Sequence, residues 1–310
     1  MSLVRIATRG SALALAQSGQ LGRRIEAALG VEVELVTVRT TGDRIQDRSL
    51  AKVGGKGLFV KEVEEALLEG RADLAVHSAK DLPAELAPGL GLAAIPARAD
   101  CRDALIGRVG GTHLEGLPRG ARVGTGSVRR KSQLLAHRPD LVIRPLRGNV
   151  DTRLRKLEEE GLDAVVLACA GLDRLSLEER IHERLDPSVL LPCAGQGTLA
   201  IEAREEGPLF EDLAALDDAA ARFALTAERA FVGALSGDCH APIAALAVVR
   251  PEGRVQLRGR VLATDGGRVV AVDASGAAHE ALALGRGAAE EALGRGAEAL
   301  IAKAREEALA

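Results

Sequence analysis

The sequence predicts an α/β fold with two similar doubly wound domains, followed by a small C-terminal α+β domain. Up to residue 168, apolar strand-like segments alternate with helical segments, which is typical of parallel βαβ units. The segment RIATRGS at residues 5–11 is faintly echoed by RVGTGS at residues 122–127. Both segments have a strand, a small turn and a serine that can open a helix. After about residue 219 the pattern changes to one helix, several strands and a closing helix, which indicates a separate domain.

The first domain alternates strands and helices. Strands are predicted at residues 3–7, 31–38 and 72–76, and helices at residues 11–29 and 58–69. Ser11 is suited to cap the first helix, and Gly70 is suited to end the second. Because such units bring helix N-termini to the carboxyl edge of the sheet, we expect anions to bind at that edge.

The second domain follows the same plan, and the third does not. In the second domain, strands are predicted at residues 121–124, 141–145 and 163–168, and helices at residues 127–136 and 150–160. In the third, a helix at residues 219–235 precedes strands at residues 243–249, 254–262 and 268–274, and one long helix at residues 278–307 closes the chain.

Length and composition indicate an ordinary globular protein. With 310 residues, the chain is long for one hydrophobic core and sufficient for two or three domains. No apolar run approaches the roughly 18 residues that span a bilayer, so we expect no membrane partner. Arg5 and Arg9 interrupt the N-terminal segment that could otherwise resemble a signal peptide, and we therefore expect a cytoplasmic protein.

The cysteine pattern fits neither a disulfide framework nor a zinc site. The four cysteines are far apart and include no CxxC pair, and we expect no metal site. Three of them, Cys101, Cys169 and Cys193, are expected to pack as small hydrophobic residues. Cys239 lies between Asp238 and His240. The histidine can favour the thiolate and make Cys239 a nucleophile, although a lone cysteine is more often an inert structural residue.

Positive charge is concentrated in one segment of the second domain. Between Arg119 and Lys156 there are 11 basic and two acidic residues, so this segment carries +9 while the rest of the chain carries −12. Such a concentration indicates an anionic partner, either a nucleic acid or a polyanionic small molecule. Nucleic-acid binding is disfavoured because base stacking needs aromatic residues, and the chain has four Phe and no Trp or Tyr.

Two glycine-containing segments resemble phosphate-binding loops without matching them. AKVGGKG at residues 51–57 lacks the spacing of a P-loop. The glycines from residue 42 to 57 instead indicate either a lid over the site or a plain surface loop. GTGS at residues 124–127 lacks the third glycine of a dinucleotide site, but Arg129 and Arg130 lie in the following helical turn. The helix dipole disfavours cations there, so a bound anion explains them better; the alternative is a solvated basic face.

Lys80 and Asp81 follow the end of a predicted strand in the sequence HSAKD at residues 77–81. An adjacent lysine and aspartate are usually a surface pair of little energetic consequence. At this edge of an α/β domain the carboxylate could instead handle protons or stabilise a cation.

Together these motifs resemble those of the porphobilinogen deaminases, also called hydroxymethylbilane synthases, in order and spacing. The matching segments are residues 5–9, 51–59, 75–81, 123–130, 146–149 and 192–197. The resemblance covers the whole chain, although the C-terminal domain is only loosely similar, and Cys239 falls where the family carries its cofactor-bearing cysteine.

The resemblance implies a transferase of tetrapyrrole biosynthesis with three domains. Domain 1 (residues 1–98 and 198–216) and domain 2 (residues 99–197) would resemble the lobes of type II periplasmic binding proteins, with the catalytic aspartate and the arginines on opposite sides of a cleft. Domain 3 (residues 217–310) would carry a dipyrromethane cofactor joined to Cys239 by a thioether. The enzyme would condense four porphobilinogen molecules head to tail, with loss of ammonia, to give hydroxymethylbilane. A non-catalytic two-lobed carboxylate-binding protein is the alternative.

The resemblance also implies roles for individual residues. Asp81 would be catalytic and would contact the pyrrole NH groups. Cofactor contacts would come from Cys239, Lys80, Asp81, Thr125, Ser127, Arg129 and Arg130. Substrate contacts would come from Arg9, Ser11, Arg147, Arg153 and Arg174. Forked guanidinium–carboxylate pairing suits the acetate and propionate that each pyrrole carries.

Three positions depart from the family pattern: Gly126 replaces a common serine, Asp238 a common glycine and His240 a common glutamine. The resemblance further implies a monomer that hands its product to the next enzyme of the pathway.

Overall fold

The computed structural model describes residues 2–40, 60–83, 85–235 and 241–309. The predicted lid at residues 42–57 lies outside the described residues, as do Cys239 and its neighbours Asp238 and His240.

Strands and helices alternate through most of the described chain. The strands are β1 (Leu3–Arg9), β2 (Glu32–Val38), β3 (Leu74–Ser78), β4 (Leu90–Ala94), β5 (Asp103–Gly107), β6 (Arg122–Gly124), β7 (Val142–Arg144), β8 (Ala164–Ala168), β9 (Glu183–Leu185), β10 (Leu199–Arg204), β11 (Ile243–Arg250), β12 (Arg254–Leu262) and β13 (Val269–Ala277). The helices are α1 (Ala12–Leu29), α2 (Lys61–Leu68), α3 (Val128–His137), α4 (Val150–Glu159), α5 (Cys169–Arg174), α6 (Pro208–Asp212), α7 (Ala219–Ala234), α8 (Ala281–Gly294) and α9 (Ala297–Leu309).

The chain divides into two compact units. The first, Met1–Ala99 with Thr198–Arg222, contains a five-stranded sheet in the order β2-β1-β3-β10-β4. β1 pairs in parallel with β2 and β3, whereas β10 runs antiparallel to both of its neighbours. Helix α1 packs through Leu21 and Ile25 on one face of the sheet, and α2 packs through Val63 and Leu67 in a second core cluster. Burial of these apolar side chains stabilises the sheet between two helical layers.

The second unit, Asp100–Gly197 with Phe223–Ala310, contains two sheets. The five-stranded sheet has the order β7-β6-β8-β5-β9, and the three-stranded antiparallel sheet has the order β11-β12-β13. The smaller sheet has its own hydrophobic core, in which Phe231 of α7 and Leu257 of β12 are fully buried. It is the small α+β assembly that the sequence predicts.

The two five-stranded sheets have the same strand order. β6, β7 and β8 pair as β1, β2 and β3 do, and β5 runs antiparallel beside β8 as β10 runs beside β3. The predicted fold class of two similar α/β domains and a small third domain is therefore confirmed. The faint echo between residues 5–11 and residues 122–127 corresponds to the first strand–turn–helix of each sheet.

The predicted closing helix is interrupted in the structure. The closing helix was expected to be continuous from residue 278 to 307, but it is two helices, α8 and α9. Between them Gly296 has a φ of 91°, which is costly for residues with a Cβ atom and ends the first helix. Within the part of the chain that the structure describes, no helix is both long enough and apolar enough to cross a bilayer.

Candidate active site

A pocket lies at the carboxyl edge of the first sheet. β1 ends at Arg9, and a short 3-10 helix, Ala79–Asp81, follows β3 directly. The pocket is lined by three residues that the sequence assigns to the site, Arg9, Ser11 and Asp81. Lys80 lies in the same short helix and is half-buried. Three of the residues that the sequence singles out therefore line one pocket at this edge of the sheet.

Local sequence explains how α1 opens onto the pocket. Ser11 has extended backbone dihedrals, and its Oγ accepts a hydrogen bond from the amide of Ala14 at 3.3 Å, which makes it the N-cap of α1. Ala14 itself lines the pocket. The N-terminal end of an 18-residue helix thus faces the pocket, and its dipole favours negative charge there.

Asp81 is exposed, but the strand end that precedes it is held by three sets of hydrogen bonds. Ser78 Oγ accepts from Gln17 Nε2 at 3.0 Å and donates to Gln17 Oε1 at 3.3 Å. His77 Nε2 lies 2.8 Å from Glu202 Oε2 of β10. The amide of Ala79 donates to the carbonyl of Thr198 at 3.0 Å. An accessible carboxylate is therefore carried on a fixed backbone.

Four polar residues line this pocket without having been assigned to it: Thr8, Gln17, His77 and Ser78. Two of them belong to the HSAKD motif, so the signal was present in the sequence and was read only for Lys80 and Asp81. Glu202 gave no signal, because no strand was predicted around it.

In the second unit, Arg129 and Arg130 are buried against a single carboxylate. Arg129 Nη1 donates to Asp103 Oδ2 at 2.8 Å and to the carbonyl of Leu191 at 2.7 Å. Arg130 donates from Nε and Nη2 to Asp103 Oδ1, at 2.9 and 2.7 Å, and from Nη1 to the carbonyl of Val166 at 3.0 Å. The two arginines at the start of α3 therefore have a protein partner, which sequence reasoning did not anticipate.

Asp103 remains ionised despite being fully buried. Burial alone would raise its pKa, but the charges of Arg129 and Arg130 and their hydrogen bonds outweigh this effect and hold the pKa at about 2. Two guanidiniums and one carboxylate leave this cluster with a net charge of +1 in the interior. Such an excess is stabilised by an anion placed nearby.

Thr125 and Ser127 order the loop that leads into α3. Thr125 Oγ1 accepts from the amide of Ser127 at 3.2 Å, and Ser127 Oγ caps the helix by accepting from the amide of Arg130 at 3.4 Å. At Gly126, which lies between them, a side chain has no room in this structure. A Cβ atom at this position would lie 2.5 Å from the carbonyl oxygen of Leu146.

The remaining predicted arginines belong to the same unit. Arg147 is exposed and precedes Asn149, whose Oδ1 caps α4, and Arg153 is half-buried on that helix. Arg174 Nη2 donates to the carbonyl of Gly197 at 2.8 Å. Burial lowers the pKa of Arg174 to about 10, and the charge of Asp173 only partly offsets this effect. A carboxylate ligand would offset the cost of desolvating this guanidinium by supplying an opposite charge.

Gln196 and Glu228 are further polar residues at this site that were not assigned. Gln196 Nε2 donates to Asp103 Oδ1 at 3.0 Å and to the carbonyl of Cys101 at 2.7 Å. Glu228 of α7 is fully buried and accepts from the amides of Gly195 and Ala247, both at 2.7 Å. The loop at residues 192–197 therefore connects the arginine cluster to the three-stranded sheet, and it coincides with a segment that carried the family resemblance.

The cysteines that the structure describes, Cys101, Cys169 and Cys193, are thiols rather than disulfides. Cys169 is buried, and burial raises the pKa of its thiol to about 12, which makes it unreactive. Cys101 and Cys193 are partly buried. Among the described residues, no group of three or more His, Cys, Asp or Glu side chains is placed to hold a metal ion.

Fold and site together define an α/β protein with two five-stranded sheets, a small antiparallel sheet, and basic and acidic side chains at strand and helix ends. Residues 4–211 match the family model described as "Porphobilinogen deaminase, dipyromethane cofactor binding domain". Residues 223–294 match the model described as "Porphobilinogen deaminase, C-terminal domain". The chain belongs to the porphobilinogen deaminase family, which are transferases of tetrapyrrole biosynthesis.

Curated relatives match along nearly the whole chain. The porphobilinogen deaminase of Roseiflexus castenholzii is 52% identical over 301 residues, covering 96% of this chain and 98% of the relative. That of Syntrophotalea carbinolica is 50% identical and covers 97% of this chain and 96% of the relative. That of Xanthomonas euvesicatoria is 49% identical and covers 98% of this chain and 100% of the relative. The family resemblance seen in the sequence is thereby confirmed, and the non-catalytic alternative is not favoured.

Two solved structures of low similarity to this chain are a periplasmic domain and a periplasmic protein. The BvgS VFT2 domain of Bordetella pertussis is 16% identical with a TM-score of 0.40, covering 69% of this chain and 86% of that one. A periplasmic substrate-binding protein of an ABC transporter from Coxiella burnetii is 13% identical with a TM-score of 0.43, and the match covers 68% of this chain and 89% of that protein's chain. Scores this low support no argument about function.

Proposed function

We propose that this enzyme condenses four porphobilinogen molecules head to tail into hydroxymethylbilane, with Asp81 as its catalytic residue and Cys239 as the attachment point of dipyrromethane. The observation that supports this assignment best is the pocket of the first unit. There an exposed carboxylate, Asp81, stands on a hydrogen-bonded strand end beside Arg9 and the N-terminus of α1.

Asp81 suits the electrostatic demand of this reaction. Loss of ammonia from the aminomethyl group of porphobilinogen leaves a cation conjugated with the pyrrole nitrogen. A carboxylate that is already oriented stabilises such a cation without reorganising when the charge develops. Arg9 and Ser11 in the same pocket are suited to hold the acetate and propionate groups of the substrate.

The donor set of the second unit fits dipyrromethane, which carries several carboxylates. The cluster of Arg129, Arg130 and Asp103 has an excess positive charge, and the desolvated Arg174 has only partial compensation from Asp173. When bound, the group supplies the pyrrole at which chain growth begins. Lys80, Thr125, Ser127, Arg129 and Arg130 would hold the cofactor, and Arg147, Arg153 and Arg174 would hold substrate carboxylates.

The attachment is tested by the mass of the purified holoenzyme. The intact protein should be heavier than its sequence by two linked pyrroles, and peptide mapping should place this mass on Cys239. The Cys239→Ser protein should lack the adduct and be inactive. A Cys239→Ser protein that carried the adduct and turned over normally would refute the assignment, and Cys101→Ser is the matched control.

The role of Asp81 is tested separately. Asp81→Asn preserves side-chain volume and removes the charge, so turnover should fall by roughly a hundredfold or more with an unchanged thermal unfolding midpoint. Asp73→Asn, at the opposite end of β3, serves as a control for general effects on this strand. Wild-type turnover in Asp81→Asn would exclude Asp81 as the catalytic carboxylate.

We further propose that the second unit holds nearly all of two domains, residues 99–197 and 217–310, because each has its own sheet and its own buried cluster. The first domain would then be residues 1–98 and 198–216.

The enzyme would act as a cytoplasmic monomer that binds no nucleic acid and hands its product to the next enzyme of the pathway. Sedimentation and cell fractionation test the monomer and its location.

A further inference from the structure

A buried group of ionisable side chains lies beneath the pocket of the first unit, and none of its members is among the substrate and cofactor ligands proposed above. His77 of β3 is 8% exposed and Glu202 of β10 is fully buried, and their side chains meet at 2.8 Å across the sheet. His77 opposes Ala200 in the antiparallel register and Ala75 opposes Glu202, so the two side chains form a diagonal pair on one face. The pair is thus a product of the β3–β10 register.

Glu64 of α2 adds a second carboxyl group to this face. Its Oε1 accepts from the amide of Ala87 at 3.1 Å. Burial raises the pKa of Glu64; the hydrogen bond from Ala87 opposes this rise, and the adjacent Glu202 carboxyl adds to it. Glu202 Oε1 is buried without a hydrogen-bond partner among the described residues.

The His77–Glu202 pair beside Glu64 contributes little to stability for the free energy that its desolvation requires. A buried histidine–carboxylate pair beside another carboxyl group carries a desolvation cost, and apolar residues of similar volume often stabilise a core at least as well. The neighbouring Arg204 does not neutralise the pair directly, because its guanidinium donates to the carbonyls of Leu67 and Ala72 and pairs with Asp73. Because apolar residues would serve a purely structural contact equally well, we infer that the pair has a role that depends on its hydrogen-bond geometry.

The geometry identifies that role. His77 immediately precedes Ser78, where β3 ends, and Asp81 is only three residues further along. His77 also lines the pocket that Asp81 lines. We propose that His77 and Glu202 form a positioning pair that fixes the end of β3 and thereby the catalytic carboxylate of Asp81. This inference rests on the proposed role of Asp81.

Two substitutions at Glu202 distinguish the hydrogen bond to His77, which would position the end of β3, from the negative charge of the carboxylate. In Glu202→Gln, the side-chain oxygen can still accept from His77 Nε2, and the new amide can donate to Glu64. In Glu202→Ala, the bond to His77 is lost. Asp73→Asn is the matched control, because it weakens the Arg5–Asp73 pair at the opposite end of the same strand.

The expected readouts are turnover, KM and amide exchange. Glu202→Ala should lower kcat by roughly ten- to a hundredfold while KM changes far less, since a misplaced catalytic group affects the chemical step more than binding. Glu202→Gln should recover most of this loss. The amide of Ala79, which bonds to Thr198, should exchange faster in Glu202→Ala than in the wild type and in Asp73→Asn. Wild-type kcat in Glu202→Ala, or an equal loss in Asp73→Asn, would overturn the proposal.

A second variant covers the case in which Glu202→Ala does not fold. The double variant His77→Phe with Glu202→Leu replaces the pair by apolar groups of similar volume, so a folded protein is expected. A folded double variant with low kcat supports positioning, and wild-type kcat refutes it. Asp81→Asn is measured in the same series. If Asp81→Asn is fully active, the proposed role of Asp81 fails; if it is inactive while the pair variants turn over normally, only the positioning inference fails.

Discussion

Asp103 is the residue on which the two buried arginines of α3 depend. Replacing it with asparagine keeps the volume but leaves two guanidiniums without their counter-charge. We expect Asp103→Asn to lose about 3–5 kcal/mol of folding free energy, as when one partner of a buried ion pair is removed. Urea unfolding measures the loss. Glu159→Gln, which removes the exposed Arg155–Glu159 pair, is the control and should change stability by less than about 0.5 kcal/mol.

The same carboxylate gives stability a defined dependence on pH. The pKa of Asp103 is about 2 in the folded protein, below its ordinary value of 3.8. The unfolded chain therefore binds a proton first as the pH falls. The contribution of Asp103 is complete above about pH 3.8 and is lost as the pH falls through about 2. Acid unfolding should be less steep over this interval in Asp103→Asn than in the wild type, and parallel curves would contradict the assignment.

Gly126 is a residue whose side-chain absence is structurally required. Because a Cβ atom there would approach the carbonyl oxygen of Leu146 to 2.5 Å, a larger residue must displace the backbone beside Arg147. Gly126→Ala should cost roughly 1–3 kcal/mol of stability by urea unfolding. Gly110→Ala is the matched control, since a Cβ atom at that position would meet no other atom within 4 Å. Equal stability of the two variants would show that the Leu146 segment adjusts freely.

At the scale of elements, the arginines should divide by their stage in the reaction. Those at the start of α3 would serve the cofactor, whereas Arg9 at the end of β1 and Arg147 after β7 would serve substrate and elongation. Losing a buried charge-assisted pair should cost roughly 2–5 kcal/mol of binding free energy. Arg129→Leu and Arg130→Leu should therefore yield mostly apoenzyme by intact mass. Arg9→Leu and Arg147→Leu should yield cofactor-loaded enzyme that makes little product.

The contacts with Asp103 add a necessary control to this experiment. Arg129→Leu and Arg130→Leu also leave Asp103 with one partner fewer, so their unfolding free energies must be measured alongside the masses. Apoenzyme that is fully folded supports the division of roles. The same mass distribution in all four variants would contradict it.

Elements with a strong local pattern were predicted closely from the sequence, including the antiparallel strands β11 to β13, whereas antiparallel strands that pair with distant parts of the chain were not. Ser11 defined the start of α1, and alternation defined β2. β4, β5, β9 and β10 were missed, because pairing partners distant in sequence decide their existence rather than local periodicity. The break between α8 and α9 was missed because a glycine flanked by helix-forming residues gives only a weak stop signal.

The same distinction explains the site. Arg9, Ser11 and Asp81 stand in local motifs next to strand ends, and the structure brings them to one pocket. Glu202 is separated from His77 by 125 residues of sequence, and Asp103 is separated from Arg129 by 26. No local sequence pattern predicts such contacts. The family resemblance supplied the identity of the site, and the structure supplied the acidic partners that hold it.

At the scale of the whole molecule, the first unit depends on a returning segment. β10 lies between β3 and β4 in the sheet, although the chain passes through the second unit before forming it. A fragment ending at residue 197 should therefore fail to complete this sheet, whereas a fragment ending at residue 222 should retain it. Limited proteolysis of the two fragments tests this expectation. Equal protection of residues 60–83 in both would show that β10 is dispensable.

The position of β10 also has a consequence for how the protein is made. A ribosome releases β1 to β4 long before it releases the strand that joins β3 to β4, which pairs with residues some 125 positions earlier. During that interval the nascent first sheet exposes an open edge, and such edges favour aggregation. Contacts so distant in sequence also close slowly. The newly synthesised chain is therefore a natural client for chaperones until about two-thirds of it has emerged.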